Sequence, residues 1–270
     1  GYVGVCPFHN DRHPSMRVTP SRQIYKCFVC GAGGDVFDFL QRHENMSFTE
    51  AVLWCARRAG MQVEETEVTK EELEVRKHRE ALYITMDAAT NFFQSQLPSA
   101  GAYLKERGYS LDDAILKTFR IGYAPQGNKA YTSLTSSGYL SQNLVEVNVV
   151  AKGDYDYYDV FRDRIVFPFL DMQGRPVAYS GRIVTPNKKV GKYVNTTDTP
   201  LFNKGKHLFG LYQAYRSISQ VGYVYLVEGQ FDVMSLYATG VKNVVAGSGT
   251  ALTEEQVKLI SRYKIGRASC

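Results

Sequence analysis

Apolar and polar positions along the chain change their period twice. From residue 1 to about 62, short strand-like runs at Met16–Val18 and Ile24–Cys27 alternate with Gly, Pro and Asn turn signals. A helix is predicted to start near Asp35. A second opens at Ser47, which stands three residues before Glu50, the spacing at which each side chain can satisfy the other's free backbone amide. Val52, Cys55, Ala56 and Ala59 then recur on one face, and Gly60 stops the helix.

From Val63 to Lys70 the chain turns polar and acidic, as a linker does. Thr69 and Glu72 repeat the capping spacing and lead a long helical stretch that ends before Pro98, and Ser110 to Phe119 reads as a further helix. Beyond Tyr157 the period shortens to that of strands, at Ile165–Leu170, Val177–Tyr179 and Tyr193–Val194. The last part reads strand (Val224–Val227), helix (Phe231–Ala238, stopped by Gly240), strand (Asn243–Ala246), a βαβ unit with a parallel sheet. The fold class expected is α/β, α+β overall. No internal repeat or low-complexity tract is found.

A length of 270 residues favours two domains of ordinary size, and 44% hydrophobic with 22% charged residues excludes global disorder. No apolar run approaches the roughly 20 residues of a membrane span, and no signal pattern opens the chain, so a cytoplasmic protein with no membrane partner is expected. The net charge of +5 is unevenly placed. Residues 161 to 216 hold ten Lys/Arg against three Asp, a net of +7, which leaves −2 for everything else. Such a block suits a polyanion.

Cys6-Pro-Phe-His9 and Cys27-Phe-Val-Cys30 form a C-x2-H…C-x2-C pattern. Two turns of that spacing complete a tetrahedron, and three thiolates with one imidazole suit one structural Zn²⁺ with no position open to water. His13 is the rival to His9, and Cys55, on an apolar helix face, reads as core. In the basic block Arg162 and Arg164 stand two apart, so that on a strand they would present adjacent guanidiniums to phosphate. Arg182, Lys192 and Lys204 follow among glycines. Glu228 ends an apolar strand, where a charge needs a partner, and Asp232 lies in the first turn of the next helix. Both sit where open parallel sheets build their sites, and oxygen ligands there suit Mg²⁺ or Mn²⁺.

Cys6-Pro-Phe-His-Asn10, Pro14-Ser-Met16, Tyr25-Lys-Cys-Phe-Val-Cys-Gly31 and Gly34-Asp-Val-Phe-Asp-Phe39 resemble the zinc-binding domain of DnaG-type bacterial primases. Tyr103-Leu-Lys-Glu-Arg-Gly108, Phe119-Arg-Ile-Gly-Tyr-Ala-Pro125, Lys192-Tyr-Val-Asn195, Thr199-Pro-Leu-Phe202 and Leu208-Phe-Gly-Leu211 resemble the N-terminal part of that family's RNA-polymerase core. Glu228-Gly-x-x-Asp232-Val and Gly247-Ser-Gly-Thr-Ala-Leu-Thr253 resemble its Toprim domain.

The resemblance implies a nucleotidyltransferase that makes short RNA primers on single-stranded DNA from ribonucleoside triphosphates, with replicative helicase and single-strand-binding protein as partners. It implies that Arg107, Arg162, Arg164, Arg182, Lys192, Asn195 and Lys204 contact template or incoming nucleotide. Glu228 and Asp232 would be catalytic acids, with Glu228 on the divalent metal. Tyr25 and Phe28, beside Arg22 and Lys26, would stack on template bases or pack the small sheet.

The boundaries expected are a zinc-ribbon domain over 1–62, a linker over 63–80, the basic part of the core over 81–218 and a partial Toprim subdomain over 219–264. The family's Asp-x-Asp pair is expected just beyond Tyr263 and is absent, and residues 265–270 read as a non-native tail without strand character, in a chain cut at both ends. The alternatives are another Toprim enzyme, a topoisomerase or nuclease, or a non-catalytic zinc-dependent module that binds single-stranded DNA.

Overall fold

The computed structural model describes the chain except residues 45, 62–68, 188, 250–251, 264–266 and 270, with backbone alone for 267–269. Two compact units result, Gly1–Val68 and Thr69–Cys270.

The first unit is an antiparallel sheet in the order β1 (Tyr2–Gly4), β2 (Met16–Thr19), β3 (Ile24–Cys27) and β4 (Gly33–Gly34), followed by α1 (Val36–His43) and α2 (Phe48–Arg58). Asp35 caps α1 by accepting from the amides of Phe37 and Asp38. Ser47 and Glu50 cap α2 reciprocally, as their spacing predicts. The core is small: Cys6, Met16, Tyr25, Cys27 and Ala32, with Phe8, Val18 and Phe39 against it. Two of those five buried residues are thiols, so apolar burial alone is a thin basis for folding.

The second unit begins with α3 (Lys70–Gln96), capped reciprocally by Thr69 and Glu72 and closed by a 3₁₀ turn containing Pro98. The expected linker is therefore helical from Lys70 onward, while the acidic residues before Val68 lie outside the described residues. Then come α4 (Gly101–Glu106), α5 (Ala114–Thr118), β5 (Gly122–Ala124), α6 (Lys129–Ser136), α7 (Ser141–Glu146) and a two-stranded ribbon of β6 (Val150–Lys152) and β7 (Tyr157–Asp159). The helix expected from Ser110 is thus confined to Ala114–Thr118. Asp113 takes the amide of Ser110 onto its carboxylate at 2.7 Å and holds the preceding residues in a turn.

The second unit's central sheet is antiparallel, in the order β10 (Tyr193–Asn195), β9 (Pro176–Ile183), β8 (Arg164–Leu170), β5. Strand β5 packs on α3 at Gly122, where a Cβ would lie 2.6 Å from the Phe93 carbonyl carbon. Tyr179, Phe93 and Phe161 meet edge to face beneath this sheet, and Phe167, Phe169 and Phe209 do the same further along.

After α8 (Leu211–Val221) comes the expected βαβ unit: β11 (Tyr223–Val227), α9 (Gln230–Ala238) and β12 (Val244–Ala246), with β11 and β12 parallel. Helix α10 (Glu254–Ser261) follows. The tail corrects the expectation that it lacks strand character, because Arg267–Ser269 forms β13, parallel to the free edge of β11. An open strand edge offers amides and carbonyls that any extended backbone can meet, whatever its side chains. No described helix is long and apolar enough to cross a membrane.

Candidate metal centre and acidic–basic pocket

In the first unit, β3 and the turn after it carry Cys27 and Cys30, and the loop after β1 carries Cys6 and His9. The four ligand atoms all lie within 4.8 Å of one another. Cys6 Sγ is 3.8 Å from Cys30 Sγ, and Cys27 Sγ is 4.0 Å from His9 Nδ1. Tetrahedral Zn–S bonds of about 2.3 Å require sulfurs roughly 3.8 Å apart, so the donor set fits zinc. His13 is exposed and outside the cluster, and Cys55 is half-buried on α2.

Asp11 organises the back of this cluster. It accepts from the Cys6 amide at 2.8 Å and from the Ser15 hydroxyl, and its other oxygen lies 3.6 Å from His9 Nε2. A carboxylate behind a ligating imidazole fixes the ring and its basicity. Burial pushes the Cys6 thiol up to about 11. Burial also opposes ionisation of Cys27, but hydrogen bonds from Ser15 and from the amides of Cys30 and Val29 outweigh it and bring that thiol down to about 6. Of the two aromatics expected to stack or pack, Tyr25 is buried against Phe8 and Phe39, and Phe28 is 72% exposed.

In the second unit one cavity of about 320 Å³ gathers residues from the central sheet and from the βαβ unit. Ser180, Arg182, Lys192, Tyr193 and Asn195 line it from β9, β10 and the residue before β10; Glu228, Gly229, Gln230 and Asp232 from the end of β11 and the start of α9; and Ser248 and Gly249 from the loop after β12. Register explains half of this wall. Ser180 pairs with Asn195 and Arg182 with Tyr193, so the four alternate onto one face.

Arg182 donates to the hydroxyls of Tyr103 and Tyr193, each at 2.7 Å. Although burial opposes its charge, those two hydroxyls hold its pKa above the usual range. Arg107 stands over the rings of Tyr103 and Phe231, the second of which Arg182 also flanks. Glu228 is exposed, so it needs no neutralising partner and the expectation of one lapses. Asp232 reaches back to the Gly229 amide at 3.1 Å, a capping contact that leaves its other oxygen open to the cavity. Two carboxylates converge here. The only grouping of three or more metal-ligating side chains among the described residues is the cysteine–histidine one.

Arg162 and Arg164 are not adjacent guanidiniums on one strand. Asp163, at φ +54°, turns the chain between them; its carboxylate is held by the Tyr123 hydroxyl and the Thr185 amide. Arg162 stays exposed beside the Tyr158 ring, whereas Arg164 is 4% exposed and donates to the carbonyls of Gly181, Gly191 and Lys192. Both border a second groove of about 870 Å³ with Thr185 and Asn187. Arg175 in turn is paired with Asp171 and Glu80, so the basic block is less unpaired than composition implies. Lys204 is outside the smaller pocket, in a turn whose backbone is held by Asp198 and Gln256. Ser180 and Ser248 carry no local sequence signal of a site; strand pairing and the loop after β12 bring them to this wall.

Three family models match in order: the CHC2 zinc finger over residues 1–71, the DNA primase catalytic core, N-terminal domain, over 88–215, and a Toprim-like model over 225–269. A DNA primase of Synechococcus elongatus is 41% identical over 97% of this chain and 39% of its own length, and one of Aquifex aeolicus 37% over 97% and 51%. The chain thus spans about half or less of the length of these curated relatives. The crystal structure of the Aquifex aeolicus primase, zinc-binding and RNA polymerase domains, superposes with a TM-score of 0.64 at 36% identity, covering 99% of this chain and 64% of that one. A DnaG primase catalytic domain bound to single-stranded DNA gives 0.62 at 33%, covering 70% and 60%.

Proposed function

Because the chain belongs to the DnaG-type DNA primases, we propose that it carries the template- and nucleotide-handling part of an enzyme that synthesises RNA primers on single-stranded DNA. The observation that carries this reading is the cavity in which Arg182 and Lys192 face Glu228 and Asp232. Cations on one wall suit a triphosphate, and carboxylates on the other suit the divalent ion that accompanies it. Such an ion, Mg²⁺ or Mn²⁺, supplies activation of the attacking 3′-hydroxyl and charge neutralisation on the leaving pyrophosphate.

The chain's own residues divide the remaining work. Arg182 and Lys192 orient phosphate oxygens, Asn195 meets the same nucleotide, and Glu228 and the open oxygen of Asp232 offer metal ligands. Arg107, Arg162 and Lys204 lie outside that cavity and follow the DNA backbone. Arg164 keeps its strands in register instead of touching nucleic acid, since its guanidinium is already committed to three carbonyls. Turnover needs further carboxylates beside Glu228 and Asp232, and the Asp-x-Asp pair expected just beyond Tyr263 is not among residues 264–270. A zinc unit leading a primase core favours this reading over a topoisomerase or nuclease. Helicase and single-strand-binding protein are the partners the family suggests.

The test is template-dependent ribonucleotide incorporation on single-stranded DNA by a version carrying the complete core. Glu228→Gln is expected to lower primer yield by at least about 100-fold, with affinity for single-stranded DNA changing by less than about twofold. Wild-type yield from that variant would overturn the proposal.

A further inference from the structure

Among the described residues, four buried side-chain atoms have no hydrogen-bond partner, and three of them line the acidic–basic cavity: Ser180 Oγ, Asn195 Oδ1 and Ser248 Oγ. Ser180 is fully buried and Ser248 is 3% exposed. Burying such atoms unpaired costs roughly 1–3 kcal/mol each, so their concentration in one cavity points to a ligand that pairs with them.

The chemistry of Asn195 narrows what that ligand presents. Its Nδ2 donates to the Ser248 carbonyl at 2.9 Å. A carbonyl can only accept, so this contact commits the amide's donor end and leaves Oδ1 as a pure acceptor. Its missing partner must therefore carry an O–H or N–H. Ionised phosphate oxygens carry neither, and Arg182 and Lys192 are there to meet them. On a nucleoside triphosphate the remaining donors are base N–H groups and sugar hydroxyls. Template-directed synthesis must accept four bases with different donor patterns, which a fixed acceptor would discriminate among. The sugar is common to all four. Ser180, opposite Asn195 in the β9–β10 register, and Ser248 add hydroxyls that donate or accept as required.

We propose that Asn195, with Ser180 and Ser248, forms a sugar-reading site that accepts a hydrogen bond from the ribose cis-diol and so selects ribonucleotides over deoxyribonucleotides. The inference rests on the nucleotide-binding reading of this cavity. A site built to bond a hydroxyl rejects the analogue without it, because its own polar atoms are then left buried and unpaired.

Equilibrium binding of ATP, 2′-dATP and 3′-dATP to the full chain with Mn²⁺ tests it, alongside Asn195→Ala and Ser180→Ala, each checked for a cooperative melt. Wild type is expected to bind ATP about tenfold more tightly than 2′-dATP, with 3′-dATP reporting on the other hydroxyl of the diol. In Asn195→Ala that ratio is expected to fall toward one, and Ser180→Ala should move it the same way if Asn195→Ala does not fold. Equal affinity of wild type for ATP and 2′-dATP, or an undiminished ratio in a folded Asn195→Ala, overturns the sugar-reading site and leaves nucleotide binding standing. Failure to bind any of the three overturns both.

Discussion

The two units treat buried polar atoms in opposite ways. In the Gly1–Val68 unit the reactive atoms face one another: three thiols and an imidazole within 4.8 Å, backed by Asp11, with scarcely any apolar core beside them. In the Thr69–Cys270 unit a large aromatic core accompanies a cavity in which the hydroxyls of Ser180 and Ser248 and the Oδ1 of Asn195 have no protein partner. The first site stands in for much of a small core, whereas the second is carried by a unit with a large core of its own. One unit should therefore be lost with its ligand and the other should merely lose affinity.

Zinc removal is the strongest way to break that contrast. Structural zinc in small domains supplies on the order of 10 kcal/mol of folding free energy. Chelation, or Cys27→Ser, is expected to abolish slow hydrogen exchange at the amides of β2 and β3, while α3 and β8 keep theirs. Protection of β2 and β3 that survives chelation would show that the small core folds unaided.

Next in size is the contrast between two arginines one strand apart. Arg164→Met removes the donors that three carbonyls share, and is expected to cost about 2–4 kcal/mol in urea unfolding. Arg182→Met frees two tyrosine hydroxyls at a partly solvated rim, so its stability loss should stay near 1 kcal/mol. Its nucleotide affinity should nevertheless fall about tenfold or more. Similar stability losses for the two variants would erase the distinction between scaffold and site.

That pair also shows where reading the sequence succeeds and where it stops. Ser47 with Glu50, Thr69 with Glu72, the two-residue spacings of Cys6/His9 and Cys27/Cys30, and the final βαβ unit are local patterns, and local patterns survive folding. Arg182 and Lys192 are also visible as cations among glycines, Glu228 as a charge at a strand end and Asp232 as an acid in a helix's first turn, whereas Asn195 enters only through the family resemblance. What local pattern misses is decided by distant partners. Tyr123 and Thr185 hold Asp163 and so send Arg164 inward, although Arg-Asp-Arg alone reads as an alternating strand. Strand pairing puts Ser180 against Asn195, and Asn195 reaches Ser248 across 53 residues of chain.

The smallest effect belongs to the cap of α2, which lies in the zinc unit yet takes no part in the cluster. Glu50 receives the Ser47 amide at 2.7 Å, and this hydrogen bond, with help from the Ser47 hydroxyl, holds the carboxyl below its usual range. A carboxyl with a depressed folded value stabilises only when ionised. Its contribution is fully present above the unfolded glutamate value, about 4.3, and is lost as pH falls through the lower folded value. Ser47→Ala should cost about 1 kcal/mol in the stability of the zinc-bound unit at neutral pH. It should also flatten the change in α2 first-turn helicity on acidification, read from the chemical shifts of Thr49 to Ala51. An acid response as steep in Ser47→Ala as in wild type would assign the pH dependence to the zinc ligands instead, and with it dissolve the separation between cap and cluster inside this unit.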